Sequence, residues 1–167
     1  ARLALVKREQ IPDGNLHREI VIDETRRSYQ LDLDGITVPV DQLLEGSDFQ
    51  AIEFASLLLL SAEITGGLVG SIHTIVEYLN TRRAFDKVIG SYQALKHPTV
   101  KILLDLEAMR SHLYHAATVL AEGKPDEAEV ALRMAKAHGS AAFAFAGDRA
   151  VQFHGGFGFT YECDAQL

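Results

Sequence analysis

The chain has 167 residues, a length that fits one domain or one domain plus part of another. Its 47% hydrophobic content supports a sizeable core, and its net charge of −7 argues against a general nucleic-acid binder. A single cysteine, Cys163, excludes an internal disulfide and fits a reducing compartment, and with seven scattered histidines it offers no zinc-ligand spacing.

Residues 1–11 are polar and of mixed charge, unlike a secretory leader. Residues 1–40 read as a β region. Leu3 to Lys7, Glu19 to Asp23 and Ser28 to Leu33 are short segments with β-branched or alternating apolar residues. Pro12-Asp13-Gly14-Asn15 and Asp34-Gly35 supply turn chemistry between them. The expectation is two or three strands of a small antiparallel sheet, marginal by itself. Pro39 closes this region.

From about Asp48 the apolar period becomes 3.6. Ser47 or Asp48 is the candidate cap of a helix running through Phe54, Leu58, Ile64, Leu68, Ile72 and Ile75-Val76 to about Arg82. The run Leu57 to Leu60 is broken by Ser61 and Glu63, which makes it too short for a membrane span. Gly66, Gly67 and Gly70 each lower helix propensity by roughly 1 kcal/mol, so a close helix–helix or cofactor approach is their expected purpose.

A second helix is expected from about Ser91 to Ala121, with a near-heptad stripe of Leu103, Leu106, Met109-Arg110, Leu113, Ala116-Ala117 and Leu120. Pro98 falls early, where a kink or restart is expected. Gly123-Lys124-Pro125-Asp126 ends it and starts a third helix, with Asp126 and Glu127 in the favourable first turn. That helix runs to about His154, kept slim by Ala128, Ala131, Ala135, Ala142 and Ala146. Short loops between long helices imply an antiparallel bundle. The fold class is therefore mainly α, an up-down bundle over 41–167 with a small β remnant at 1–40.

Two segments carry chemistry. The first is Arg82-Arg83-Ala84-Phe85-Asp86-Lys87-Val88-Ile89-Gly90-Ser91-Tyr92-Gln93, between the first two helices. The second is Gln152-Phe153-His154-Gly155-Gly156-Phe157-Gly158-Phe159-Thr160-Tyr161-Glu162, where three glycines in four positions allow close approach of a ligand to backbone. Each also has a plain structural reading, a basic cluster at a helix end and a glycine-rich C-cap. The wording Gln-x-His-Gly-Gly-x-Gly-Phe-Thr-x-Glu resembles the signature of acyl-CoA dehydrogenases. The first segment resembles that family's Arg-x-x-Phe-Gly-x-x-Ile-x-x-Phe-Gln. Asp23-Glu24-Thr25-Arg26-Arg27 and Gly35-Ile36-Thr37-Val38-Pro39 resemble the end of its middle β-domain, which extends the resemblance over about 20–167.

The resemblance implies FAD as cofactor. It implies that Arg82 reaches the diphosphate, that Phe85 lies along the cofactor and that Gln93 sits near its adenosine half. Gln152, Gly155 and Gly156 are implied to hold the adenosine and diphosphate portion of FAD bound mainly to a neighbouring subunit. An arginine fork suits a diphosphate because it gives bidentate, charge-assisted hydrogen bonds. The chain departs from the pattern at Asp86, where the family usually has glycine, and at Ala84, which replaces a hydroxyl or Gln.

The implied reaction is α,β-desaturation of an acyl-CoA thioester, with an electron-transfer flavoprotein as redox partner and a dimer or tetramer, homo- or hetero-oligomeric, as the assembly. No nucleic acid, metal or membrane partner is expected. The implied location is bacterial cytoplasm, with a mitochondrial matrix as the alternative. The family's base is a Glu, either downstream of residue 167 or early in the first helix, where this chain has Ser56. Glu53 and Glu63 lie within one to two turns of Ser56, and Glu63 is the only carboxylate in the Leu-rich stretch. No catalytic base transfers by position, so the catalytic residue is unknown. The resemblance also predicts a further helix after Glu162 in a longer parent. Two other readings stand beside the first: an inactive helical oligomerisation subunit, and a related flavoprotein such as an acyl-CoA oxidase.

Overall fold

A computed structural model describes residues 3–21, 23 and 25–166, with the side chains of Ser47 and Asp48 outside that description. The chain divides into two compact units, Ala1–Glu53 and Phe54–Gln166.

The first unit is built from two short antiparallel pairs rather than one sheet. β1 (Leu3–Ala4) pairs with β4 (Leu43–Leu44) in the register Leu3 to Leu44 and Ala4 to Leu43. β2 (Leu16–Arg18) pairs with β3 (Tyr29–Leu31), with His17 opposite Gln30. β3 lies inside the expected Ser28 to Leu33. The expected strand at Glu19 to Asp23 is instead β2, ending at Arg18; only the Glu19 N–H continues the ladder, donating to the Ser28 carbonyl at 2.9 Å. Ile22 and Glu24 lie outside the described residues. Asn15 decides the register, because its side-chain amide donates to the carbonyls of Asp32 (3.0 Å) and Asp34 (2.7 Å). In the Asp23–Arg27 run, the Thr25 hydroxyl bonds the Asp23 carboxylate and holds its pKa below the ordinary value, with Arg26 beside it at 3.3 Å. That run is a local turn with exposed arginines.

α1 (Gly46–Thr81), α2 (Gln93–Ala121) and α3 (Pro125–His154) carry the second unit. The chain is a mainly α antiparallel bundle, as the periodicity predicts. The proposed cap at Ser47 or Asp48 falls on side chains outside the description. α2 does not restart at Pro98: the helix is continuous, since a proline at its sixth residue removes one donor, to Ala94. Pro125 occupies the first turn of α3, where no donor is needed.

One core cluster joins Ile64, Leu68, Ile75 and Leu79 of α1 to Ile102, Leu106 and Met109 of α2 and to Ala135, Ala142, Ala146, Ala150 and Phe153 of α3. A second joins Phe54, Ala116, Val119, Ala128, Ala131 and Leu132. The alanine stripe of α3 is buried throughout, as expected. Of the expected α2 stripe, Leu106, Met109 and Ala116 are buried, and only its two ends differ by one residue. Ile102 and Val119 are buried, whereas Leu103 is 44% exposed.

Of the glycines in α1, Gly67 faces Phe143 of α3, and a Cβ there would meet the ring at 2.6 Å. Gly66 and Gly70 have no atom within 4 Å of a built Cβ, so packing within the chain does not explain them. Over Phe49–Thr81, α1 is long and apolar enough to cross a membrane by length and composition, which the four-leucine run considered alone does not suggest. Its Leu68 and Ile75 are nonetheless fully buried in the bundle core.

Candidate functional site

The end of α1 sets the first part of the site. Arg82 follows the last helical residue; its N–H donates to the Tyr78 carbonyl at 2.9 Å, and its own carbonyl accepts from Ile89 at 2.8 Å. That second bond closes a hairpin of β5 (Arg83–Ala84) and β6 (Lys87–Val88). The two residues at its tip, Phe85 and Asp86, stand at φ 53° and 62°. Consecutive positive φ values are the condition of the tight hairpin turn that glycine normally fills. The Arg83 guanidinium donates to the Asp86 carbonyl at 2.9 Å, and the Tyr92 hydroxyl to the Ala84 carbonyl at 3.3 Å. Gly90 brings the returning chain against α1: a Cβ there would lie 2.8 Å from the Leu79 carbonyl oxygen.

This scaffold holds Phe85 in water, 89% exposed. Arg82, three residues earlier in the chain, is exposed and has no ion-pair partner among the described residues. Gln93 is exposed at the first residue of α2, whose N-terminus carries no side-chain cap. Arg82, Arg83 and Lys87 thus make the loop locally basic in an acidic chain.

The end of α3 forms the second part. Gln152 is exposed in the last turn, and His154 is buried with Nδ1 2.7 Å from the Ala150 carbonyl. An imidazole nitrogen facing a carbonyl must carry the proton, so Nδ1 donates. Gly155 takes φ 60° and ψ −137°, a region only glycine adopts without strain, and its N–H caps the helix by donating to the Gln152 carbonyl. The chain continues as a 3-10 segment, Gly155–Phe159.

The three glycines of the motif separate by cause. Gly155 is required by its backbone angles. Gly158 is required by packing, since a Cβ would sit 2.3 Å from the Val151 carbonyl oxygen. Gly156 has ordinary φ, is exposed, and meets nothing within 4 Å of a built Cβ. Nothing inside the chain asks for glycine there, which leaves approach from outside as its physical reason. The Gly155 N–H is already used as a cap, so Gly156 is the better placed of the pair to offer backbone to a ligand.

The structure joins the two parts through a pair that sequence reasoning missed. Tyr78 stacks on His154 with ring centroids 4.2 Å apart and planes at 30°. Its spacing, one turn ahead of Arg82, was the available signal.

The other candidates lie elsewhere. Ser56 and Glu63 are exposed and Glu53 is half-buried, all on the N-terminal half of α1. Glu63 stands about 27 Å from Thr81 along the helix at about 1.5 Å per residue. His112 faces His138 of α3, with ring centroids 5.3 Å apart, rather than joining His115. Among the described residues no group of three His, Cys, Asp or Glu side chains could hold a metal.

The comparisons bear on the family and the fold. Residues 58–166 match the family model for the acyl-CoA dehydrogenase C-terminal domain. Acyl-CoA dehydrogenase FadE12 of Mycobacterium tuberculosis is 30% identical over 149 residues, covering 86% of this chain and 38% of that protein. The chain therefore spans under two-fifths of that relative's length. The solved structure of PigA with FAD and proline superposes with a TM-score of 0.79 at 25% identity, covering 98% of this chain and 44% of PigA. Butyryl-CoA dehydrogenase from Megasphaera elsdenii shares the fold, with a TM-score of 0.79 at 24% identity, covering 93% of this chain and 43% of that one. By its helical bundle, its two motif segments and its match to the domain model, the chain belongs to the acyl-CoA dehydrogenase family.

Proposed function

We propose that the chain supplies FAD-binding and subunit contacts to an FAD-dependent acyl-CoA dehydrogenase that desaturates an acyl-CoA thioester between Cα and Cβ. The observation that carries this reading is the hairpin tip. Phe85 is held in water by a turn with two positive φ values, three residues after an exposed Arg82 that has no ion-pair partner among the described residues. An exposed aromatic on a strained turn costs free energy within the chain and is repaid only by a ligand or partner.

The residues present fit FAD. Arg82 offers a fork to the diphosphate, Phe85 a flat apolar surface to the cofactor, and Gln93 an amide to the adenosine half. Gln152 and the open Gly155–Gly156 backbone would hold the diphosphate and adenosine of FAD seated mainly on a neighbouring subunit. When bound, FAD accepts the hydride that leaves Cβ while a base removes the Cα proton. This chain contributes binding and orientation to that step. Of the two base positions that the resemblance implies, one lies downstream of residue 167 and the other holds Ser56, so the proton acceptor is assigned to no residue here. An electron-transfer flavoprotein would then receive the electrons.

The bundle also exposes Leu59, Leu104, Val130 and Met134, a set of apolar side chains that self-association would cover. Together with Ser56, this favours a second reading, a non-catalytic subunit that completes a partner's FAD site. FAD titration followed by visible absorption tests both. Binding that falls about tenfold in Arg82→Gln supports a cofactor site. Acyl-CoA turnover by the FAD-loaded chain would exclude the non-catalytic subunit.

A further inference from the structure

The FAD reading gives Arg82 and the Gly155–Gly156 turn a common task, yet they lie on chain segments more than 70 residues apart. We infer that Tyr78 is the positioning residue that holds these two segments in register, acting through His154 and not by touching the cofactor. This inference rests on the FAD reading for its purpose, while its geometry stands on the contacts alone.

Tyr78 acts in two directions. Toward its own helix, its carbonyl accepts the Arg82 N–H at 2.9 Å, which places Tyr78 one turn ahead of Arg82 on the last turn of α1. Toward α3, its ring lies on the buried His154 imidazole at 4.2 Å. That imidazole cannot swing, because Nδ1 is bonded back to the Ala150 carbonyl at 2.7 Å. The Tyr78 hydroxyl also points at the His154 carbonyl, at 3.4 Å. This is long for a hydroxyl donor, so the stack is the principal tie and the hydroxyl a lesser one.

The carbonyl it approaches belongs to the peptide that joins His154 to Gly155. A peptide is planar, so holding its oxygen also orients its N–H. The N–H of that same peptide caps α3 on Gln152. Both ends of the plane are thereby fixed, and the Gly155 φ of 60° is measured from a fixed plane. The direction of the open Gly156 backbone follows from it. The aromatic at position 78 thus ties the last turn of α1, from which Arg82 follows, to the glycine end of the proposed diphosphate contact.

The test compares the 167-residue chain with Tyr78→Phe and Tyr78→Leu. Two readouts are used: amide hydrogen exchange resolved to Gly155–Gly158, and FAD affinity. Tyr78→Leu is expected to speed exchange at Gly155–Gly158 by tenfold or more, with Leu106 and Met109 of α2 unchanged, and to weaken FAD binding about tenfold. Tyr78→Phe, which keeps the stack, is expected to stay within threefold of the parent in both. Unchanged exchange at the glycines in Tyr78→Leu overturns the inference whatever FAD does. Equal loss in both variants also overturns it, since the stack would not be the tie. If the parent chain ignores FAD, the cofactor reading falls, and the exchange data still decide whether Tyr78 holds the turn.

Discussion

Phe85 and Asp86 are neighbours that both adopt positive φ, 53° and 62°, at the tip of a hairpin only two residue pairs long. Left-handed backbone costs an ordinary L-residue about 1–2 kcal/mol, and aspartate tolerates it better than phenylalanine. The family's preference for glycine at the second position has its physical reason here. Asp86→Gly is therefore expected to stabilise the chain by about 0.5 kcal/mol, the strain relieved exceeding the added freedom of the unfolded chain. Asp86→Val is expected to destabilise it by about 1 kcal/mol. Urea unfolding of the three proteins checks the order.

The glycine-rich turn offers a sharper contrast. Gly158→Ala drives a Cβ into the Val151 carbonyl and is expected to cost about 1–3 kcal/mol. Gly156→Ala meets open space and is expected to stay within about 0.5 kcal/mol of the parent, while weakening FAD binding. Thermal unfolding and FAD titration of both variants separate the structural glycine from the ligand-facing one. Equal stability loss in the two would contradict the assignment.

The one-residue difference at the start of the α2 stripe is testable in the same way. Ile102→Ala removes a fully buried side chain and is expected to cost about 2–5 kcal/mol. Leu103→Ala removes one that is 44% exposed and is expected to cost under about 1 kcal/mol. Reversed magnitudes would restore the stripe that the leucine spacing suggests.

What the sequence revealed depended on how local its signals were. The alanines of α3 recur at helical spacing and are too small to suggest another face, so their burial was legible. On α2, Ile102 and Leu103 are adjacent and equally apolar, and only the facing helices decide which one turns inward. Two of the three expected strands contain observed ones, and only the middle strand was misplaced, because Asn15, read as a turn residue, leads into β2 and is tied to Asp32 and Asp34 by bonds that no local pattern announces. Leu43-Leu44 was not read as a strand, because two residues are too few for an alternating pattern. The candidate site residues Arg82, Phe85, Gln93, Gln152, Gly155 and Gly156 were named from wording, which cannot tell Gly156 from Gly158. The Tyr78–His154 stack joins positions 76 apart and leaves no periodic trace.

Apolar side chains left in water by a three-helix bundle predict association. A native mass of at least twice the 18.3 kDa chain is expected at micromolar concentration. Leu104→Glu, a change at a 64% exposed position, is expected to lower that mass without lowering the unfolding midpoint. A parent chain that runs as a monomer would remove the association claim.

The central claim is that this chain carries contacts for FAD. The most direct measurement is the visible absorption spectrum of the purified protein, with its native mass, before and after addition of FAD. The account predicts a retained flavin spectrum on an oligomer, lost in large part in Arg82→Gln. A colourless protein whose spectrum and mass ignore FAD would contradict it.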